Sequence, residues 1–154
     1  MDGLPENIVI REFTKADRPL VEAFFNQMGG ETRALFDANS ANYKNAMRFF
    51  DDTVSNWIFF LAEYNGTMIG YLVLTDLNRS ILGLGIAVHE EYKGRRLGRR
   101  LMQRAIDFAR ENNKGGIILT THVVNLRGQG LYARMGFERI GMSNGGEALY
   151  LYRF

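Results

Sequence analysis

The chain has no cysteine. Disulfides, thiol nucleophiles and cysteine-bearing metal sites are therefore excluded. Histidine is scarce too: only His89 and His122 occur, with no HxxxH spacing, so no metal site is expected. Only Pro5 and Pro19 represent proline, and no Ser/Pro-rich stretch reads as an interdomain linker. The longest apolar run, Trp57–Ala62, is too short to span a bilayer, so no membrane partner is expected. Met1–Ile10 carries Asp2, Pro5 and Glu6 in place of a basic start and an apolar stretch, so it does not read as a secretion signal. A soluble, cytoplasmic chain is the expectation.

What is present suits one domain spanning residues 1–154. The chain is 46% hydrophobic and 23% charged, ordinary values for a globular protein. At this length folding buries roughly 70% of the surface of the extended chain, so a core needs no staples. Nineteen basic residues nearly balance seventeen acidic ones. Locally that balance fails: Lys93, Arg95, Arg96, Arg99, Arg100 and Arg104 fall close together. Such a cluster in a near-neutral chain points to an anionic ligand of limited size. Beyond Tyr92 it has no interleaved aromatic platform, and no nucleic-acid partner is expected.

Periodicity divides the chain into alternating elements. Ile8, Ile10 and Phe13 suggest a first strand. Asp17 is placed to cap a helix in which Leu20, Val21, Phe24, Phe25 and Met28 recur, and Gly29-Gly30 ends it. Residues 31–40 show no firm period, and 41–50 suit a short helix. The aromatic and branched stretch 57–64 reads as a strand, turned by Asn65-Gly66 into a returning strand over 67–75. Residues 81–88 form another strand, with Gly83 and Gly85 marking a bulge or a close approach to the backbone. A helix over about 96–111 puts Leu97, Leu101, Ala105 and Ala109 in one row. A strand over 117–123, a helix over 126–135 and strands over 137–141 and 148–153 follow, the last two joined around Asn144-Gly145-Gly146. This order gives an α/β fold on a mixed sheet, with 81–88 and 117–123 parallel across the helix between them.

The segment Tyr92-Lys93-Gly94-Arg95-Arg96-Leu97-Gly98-Arg99-Arg100 lies between a strand and a helix start. A helix start leaves backbone N–H groups unpaired and carries partial positive charge, and glycines let the backbone come close to an anion. Arginines are unfavourable at that end unless an anion offsets them. The spacing is neither a Walker loop nor a dinucleotide fingerprint.

Here the sequence resembles the GNAT superfamily of N-acetyltransferases. That family's acyl-CoA motif, Gln/Arg-x-x-Gly-x-Gly/Ala, is matched by Lys93–Gly98 following Val88. A second motif, Asn-x-x-Ala-x-x-Leu-Tyr-x-x-x-Gly-Phe, is matched from Asn125 through Leu131, Tyr132 and Gly136 to Phe137, with the alanine changed to Gly128. The resemblance covers nearly the whole chain. It implies a mixed, largely antiparallel sheet flanked by helices, with splayed central parallel strands. It also implies acetyl transfer from acetyl-CoA, as co-substrate, to a primary amine of a small molecule, peptide or protein by direct attack. The alternative is a non-catalytic acyl-CoA-binding or sensing module.

The resemblance assigns cofactor contacts to Ala87, Val88, His89, Lys93, Gly94, Arg95, Arg96, Leu97, Gly98, Arg99, Asn125, Gly128 and Tyr132. Arg96 stands where the family has a glycine, and it is expected to keep the loop path only with a negative φ. Its charge could also meet a phosphate. Tyr132 matches the family's general acid for the departing thiolate. Some members carry a glutamate base on the strand corresponding to 81–88, which here has no carboxylate. His122 is the candidate base from the neighbouring strand, weighed against a structural role. Asn125 is read as a cofactor contact, a helix cap or both. Gly83 and Gly85 either allow strand distortion at the cofactor or simply bend the sheet. Arg127 and Arg134 read as solvated. Glu31, Phe36 and Asp37, in the connection after the first helix, are candidates for the acceptor site, weighed against a solvated loop. The last hairpin is a candidate surface for a homodimer.

Overall fold

Asn65 and Gly66 both take positive φ, 49° and 74°, and close a tight hairpin between β2 (Ile58–Tyr64) and β3 (Thr67–Thr75). In the computed structural model, which describes residues 4–28, 40–94 and 96–154, this hairpin lies within a seven-stranded sheet. β1 (Val9–Glu12) flanks β2, and β4 (Ile81–Val88) flanks β3. Beyond β4 come β5 (Gly116–Thr121), β7 (Ala148–Arg153) and, at the far edge, β6 (Glu138–Met142). β4 and β5 pair in parallel, while the other neighbours are antiparallel. The mixed, largely antiparallel sheet is thus as the sequence led us to expect.

Helices cover both faces. α1 (Arg18–Asn26) and α2 (Tyr43–Phe50) bury Val21, Phe24, Phe25, Ala46 and Met47 against Phe59, Leu61, Tyr71 and Val73. α3 (Leu97–Glu111) buries its row of Leu97, Leu101, Ala105 and Ala109 against Phe60, Ala62, Leu72 and Leu74. Alternation along β2 and β3 sends successive side chains to the two cores. β3 is buried at seven successive positions because both faces are covered. α4 (Leu126–Arg134) joins the α3 side through Tyr132.

Asp17 departs from its expected role. It stands at the N-cap of α1, yet its carboxylate makes no cap bond. It accepts instead from Arg11 Nη1 and Nη2 at 2.8 and 2.9 Å and from the Thr14 amide at 2.7 Å. These bonds, the Arg11 pair foremost, hold its pKa down at about 2 against the cost of burial. An arginine on β1 that also grips Glu63 of β2 competes successfully for this carboxylate. No helix among the described residues is long and apolar enough to cross a membrane.

Candidate active site

The parallel ladder between β4 and β5 runs only through Ile81↔Gly116, Leu82↔Ile117 and Gly83↔Ile118. Beyond it, β4 stays on β3 as far as Val88↔Gly70, and β5 stays on β7 as far as Thr121↔Ala148. The two central strands therefore diverge. The His89 amide donates to Ile69 O at 2.8 Å, which fixes the parity of the strand. Alternate peptide groups of β4, at Gly85 and Ala87, face β3, so those of Ile86 and Val88 face the gap. Gly85 serves a close approach: a Cβ there would lie 2.7 Å from Ala41 N. At Gly83 a Cβ would lie 2.3 Å from Thr75 Oγ1. The paired stretch of β4 shows no register shift, so these glycines admit neighbours rather than mark a bulge.

A cleft of about 830 Å³ fills the divergence. One wall is Ile86, Ala87 and Val88; the other is Thr121, His122, Val124, Asn125, Gly128, Leu131 and Tyr132. Its basic end holds Lys93, Gly94, Arg96, Gly98 and Arg99. A short 3-10 turn, Glu90–Tyr92, leads into this end and is capped by His89, whose Nδ1 accepts from the Glu91 amide at 3.2 Å. His89 and the Leu97 side chain are not among the groups lining the cleft; Leu97 is fully buried in the α3 core.

Gly94 has φ 77°, a value that favours glycine. Arg96 contradicts the expectation of a negative φ: it sits in the left-handed region at φ 66°, ψ 14°. That conformation favours glycine, and a residue with a Cβ bears strain of about 1–2 kcal/mol there. Arg100 N bonds Arg96 O at 3.2 Å, so the amides of Leu97, Gly98 and Arg99 precede the α3 hydrogen-bond ladder. Gly98 lets α4 come close, since a Cβ would lie 3.1 Å from Leu131 Cδ2.

Arg127 and Arg134, read as solvated, are exposed, and both also line the cleft. Arg127 Nη1 lies 3.7 Å from where a Gly94 Cβ would stand, so this cation reaches the loop from the opposite wall. Five cationic side chains among the described residues thus line the cleft, with Glu90 and Glu147 as its acidic ones. Glu90 is paired with Lys93 at 3.1 Å.

Tyr132 lies deeper, 6% exposed, with its ring 5.8 Å from that of Tyr150 and 6.2 Å from that of Phe137. Burial, with a smaller contribution from Tyr150, pushes the phenol up to about 12. It is therefore a neutral O–H at physiological pH, the form that can give a proton.

Asn125 uses both ends of its amide within the protein. Oδ1 accepts from Gly128 N at 3.1 Å as the cap of α4, and Nδ2 donates to Thr121 Oγ1 at 3.0 Å. The residue ties the end of β5 to the helix that carries Tyr132. A Cβ on Gly128 would fall 2.3 Å from Asn125 Nδ2, so an alanine here would require the amide to shift. Gln129, which sequence reasoning passed over, braces the same corner: its Nε2 donates to Val123 O at 2.9 Å and its Oε1 accepts from Tyr150 at 3.0 Å.

His122 lies just past the end of β5, and its Nδ1 accepts from Val124 N at 3.3 Å. The ring is exposed and lines the cleft. Glu31, Phe36, Asp37 and Arg95 lie outside the described residues. Met28, the last described residue before 40, lines the cleft.

Comparison with known proteins matches residues 21–137 to the acetyltransferase (GNAT) family. The chain is 26% identical over 134 residues to the L-amino acid N-acyltransferase MnaT of Escherichia coli, covering 83% of this chain and 78% of that one. It is also 26% identical over 139 residues to the L-methionine sulfoximine/L-methionine sulfone acetyltransferase of Pseudomonas aeruginosa, covering 86% and 81%. Among solved structures, yncA, a putative acetyltransferase from Salmonella typhimurium with its cofactor acetyl-CoA, superposes with a TM-score of 0.75 at 22% identity, covering 96% of this chain and 94% of that one.

Proposed function

The chain belongs to the acetyltransferase (GNAT) family, and from that premise we propose that it moves an acetyl group from acetyl-CoA to a primary amine by direct attack, in the cleft between β4 and β5. The observation that carries this reading is the end of the β4–β5 ladder at Gly83↔Ile118, beside a basic helix start and a buried phenol.

The donor fits the groups present. Its phosphates need cations and free amides, which Lys93, Arg96, Arg99, Arg127 and the first turn of α3 supply. Its amide-bearing arm needs a strand edge, and the peptide groups of Ile86 and Val88 offer one. The donor contributes an acetyl group already activated as a thioester.

The remaining work falls to the chain. Charge that gathers on the carbonyl oxygen needs a donor, and the Val88 amide, which faces the gap, is the group we assign to it. The departing sulfur needs a proton, and Tyr132 holds one up to about pH 12. The sequence contains no cysteine to carry the acetyl group covalently, in keeping with direct attack. The two curated relatives act on amino acids or their analogues by name, which puts α-amino acids first among acceptors to try.

The test is release of CoA from acetyl-CoA with a panel of L-amino acids, polyamines and short peptides with free α-amines. Because the chain has no thiol, a thiol reagent reads only the released CoA. Amine-dependent release supports the reading. Binding of acetyl-CoA without turnover of any amine would leave a non-catalytic module in its place.

A further inference from the structure

Transfer to an amine requires that the acceptor shed a proton, and β4 offers no carboxylate to take it. Of the acid–base groups lining the cleft, Glu90 is paired with Lys93, and His122 has its Nδ1 occupied by the Val124 amide. Tyr132 is held protonated, which fits it to give a proton rather than receive one.

Glu147 is placed differently. Its backbone is fixed at the base of the last hairpin, where its amide donates to Ser143 Oγ at 3.1 Å and its carbonyl accepts from Ser143 N at 2.8 Å. Its carboxylate has no hydrogen bond or ion pair among the described residues, although it is partly buried and lines the cleft. The next residue, Ala148, stands opposite Thr121, the last residue of β5. Two residues further along β7, Tyr150 packs on the Tyr132 ring. Glu147 thus enters the cleft beside the end of β5.

We propose that Glu147 receives the acceptor as its ammonium ion and takes the proton that frees the amine, an inference that rests on the acetyltransferase reading above. The protonation balance closes. The ammonium gives one proton to the Glu147 carboxylate, which passes it to solvent. The neutral nitrogen then forms the C–N bond to the acetyl carbon as the C–S bond breaks, and Tyr132 protonates the sulfur. The nitrogen's surplus proton restores the Tyr132 phenol through water. The sum is one amide, one CoA thiol and one proton released per turnover. A carboxylate supplied by the last strand pair thus does the work for which β4 has no residue, and the acceptor class is a cationic primary amine.

The experiment compares wild type, Glu147→Gln and Glu147→Asp. Thermal unfolding with acetyl-CoA reads the donor site. Thermal unfolding with CoA, with and without the amine that wild type uses best, reads acceptor binding without turnover. Glu147→Gln should keep the acetyl-CoA shift, lose the further shift given by the amine, and lose about 100-fold or more in kcat/KM for that amine. Glu147→Asp, which keeps the charge, should recover part of both. Equal kcat/KM and an equal amine shift in Glu147→Gln would overturn the role of Glu147 and leave the acetyltransferase reading standing. Absence of an acetyl-CoA shift in wild type, or binding without turnover of any amine in the panel, would remove that reading and this one with it.

Discussion

Arg96 carries a backbone cost that can be measured. Its φ of 66° lies in the left-handed region, where a Cβ costs about 1–2 kcal/mol. Arg96→Gly removes the Cβ, but glycine also gains freedom in the unfolded chain, worth about 0.4–1 kcal/mol in the other direction. Arg96→Ala removes the same charge and the same long side chain yet keeps the Cβ. The difference between the two variants therefore isolates the backbone. It should favour glycine by about 1 kcal/mol, or about 2–4 °C in a domain of this size. Arg96 is exposed, so neither variant leaves a cavity. Thermal unfolding without ligand is the assay. Because both variants lose the same cation, both should weaken acetyl-CoA by a similar factor, about tenfold for one charged hydrogen bond to a phosphate. An alanine variant as stable as the glycine variant would show that residue 96 does not occupy the left-handed region, and the strained account of the loop would fall.

Three other substitutions probe separate parts of the account. Tyr132→Phe should lower kcat by about 100-fold or more while leaving the acetyl-CoA thermal shift intact; equal turnover removes the phenol from the chemistry. Since the raised pKa keeps this phenol protonated until about pH 12, wild-type activity should show no alkaline decline from Tyr132 below about pH 11. Tyr71→Phe should leave stability unchanged or raise it by about 1 kcal/mol, because the Tyr71 ring packs on Phe13, Phe25 and Phe59 and its buried hydroxyl has no hydrogen-bond partner among the described residues; a clear loss in denaturant unfolding would mean the hydroxyl has a partner. Gly128→Ala should destabilise by about 1–2 kcal/mol, because the new Cβ displaces the Asn125 cap; an unchanged midpoint would show that the cap tolerates a side chain there.

Much of this was legible in the sequence because it is local. Asn65-Gly66 announces a hairpin through its own backbone preference. The row Leu97, Leu101, Ala105 and Ala109 announces the buried face of α3 through its period. The basic loop and the Asn125–Phe137 motif placed the two walls of the cleft. What was missed depends on distant groups. Arg127 comes near the Gly94 loop through a contact between segments far apart in the chain, and nothing in Leu126-Arg127-Gly128 encodes that distance. Glu147 enters the cleft because β7 pairs with β5 at Ala148↔Thr121, a contact between segments far apart in the chain. The contact of the His122 ring with the Val124 amide is set by the local chain path past β5 and not by the strand pattern. Asp17 had the residue type of a cap, but an arginine on β1 outcompetes the helix for it. Arg96 shows the reverse case: the motif position demanded the left-handed backbone more strongly than the residue resisted it.

The central claim is that acetyl-CoA occupies the divergence of β4 and β5 with its phosphates at the loop 93–98. Thermal unfolding with and without acetyl-CoA, using dephospho-CoA as the control, tests it most directly. At about one hundred times Kd the ligand should add about 2.7 kcal/mol and raise the midpoint by several degrees, with a smaller rise for dephospho-CoA. A midpoint unmoved by millimolar acetyl-CoA would contradict the claim.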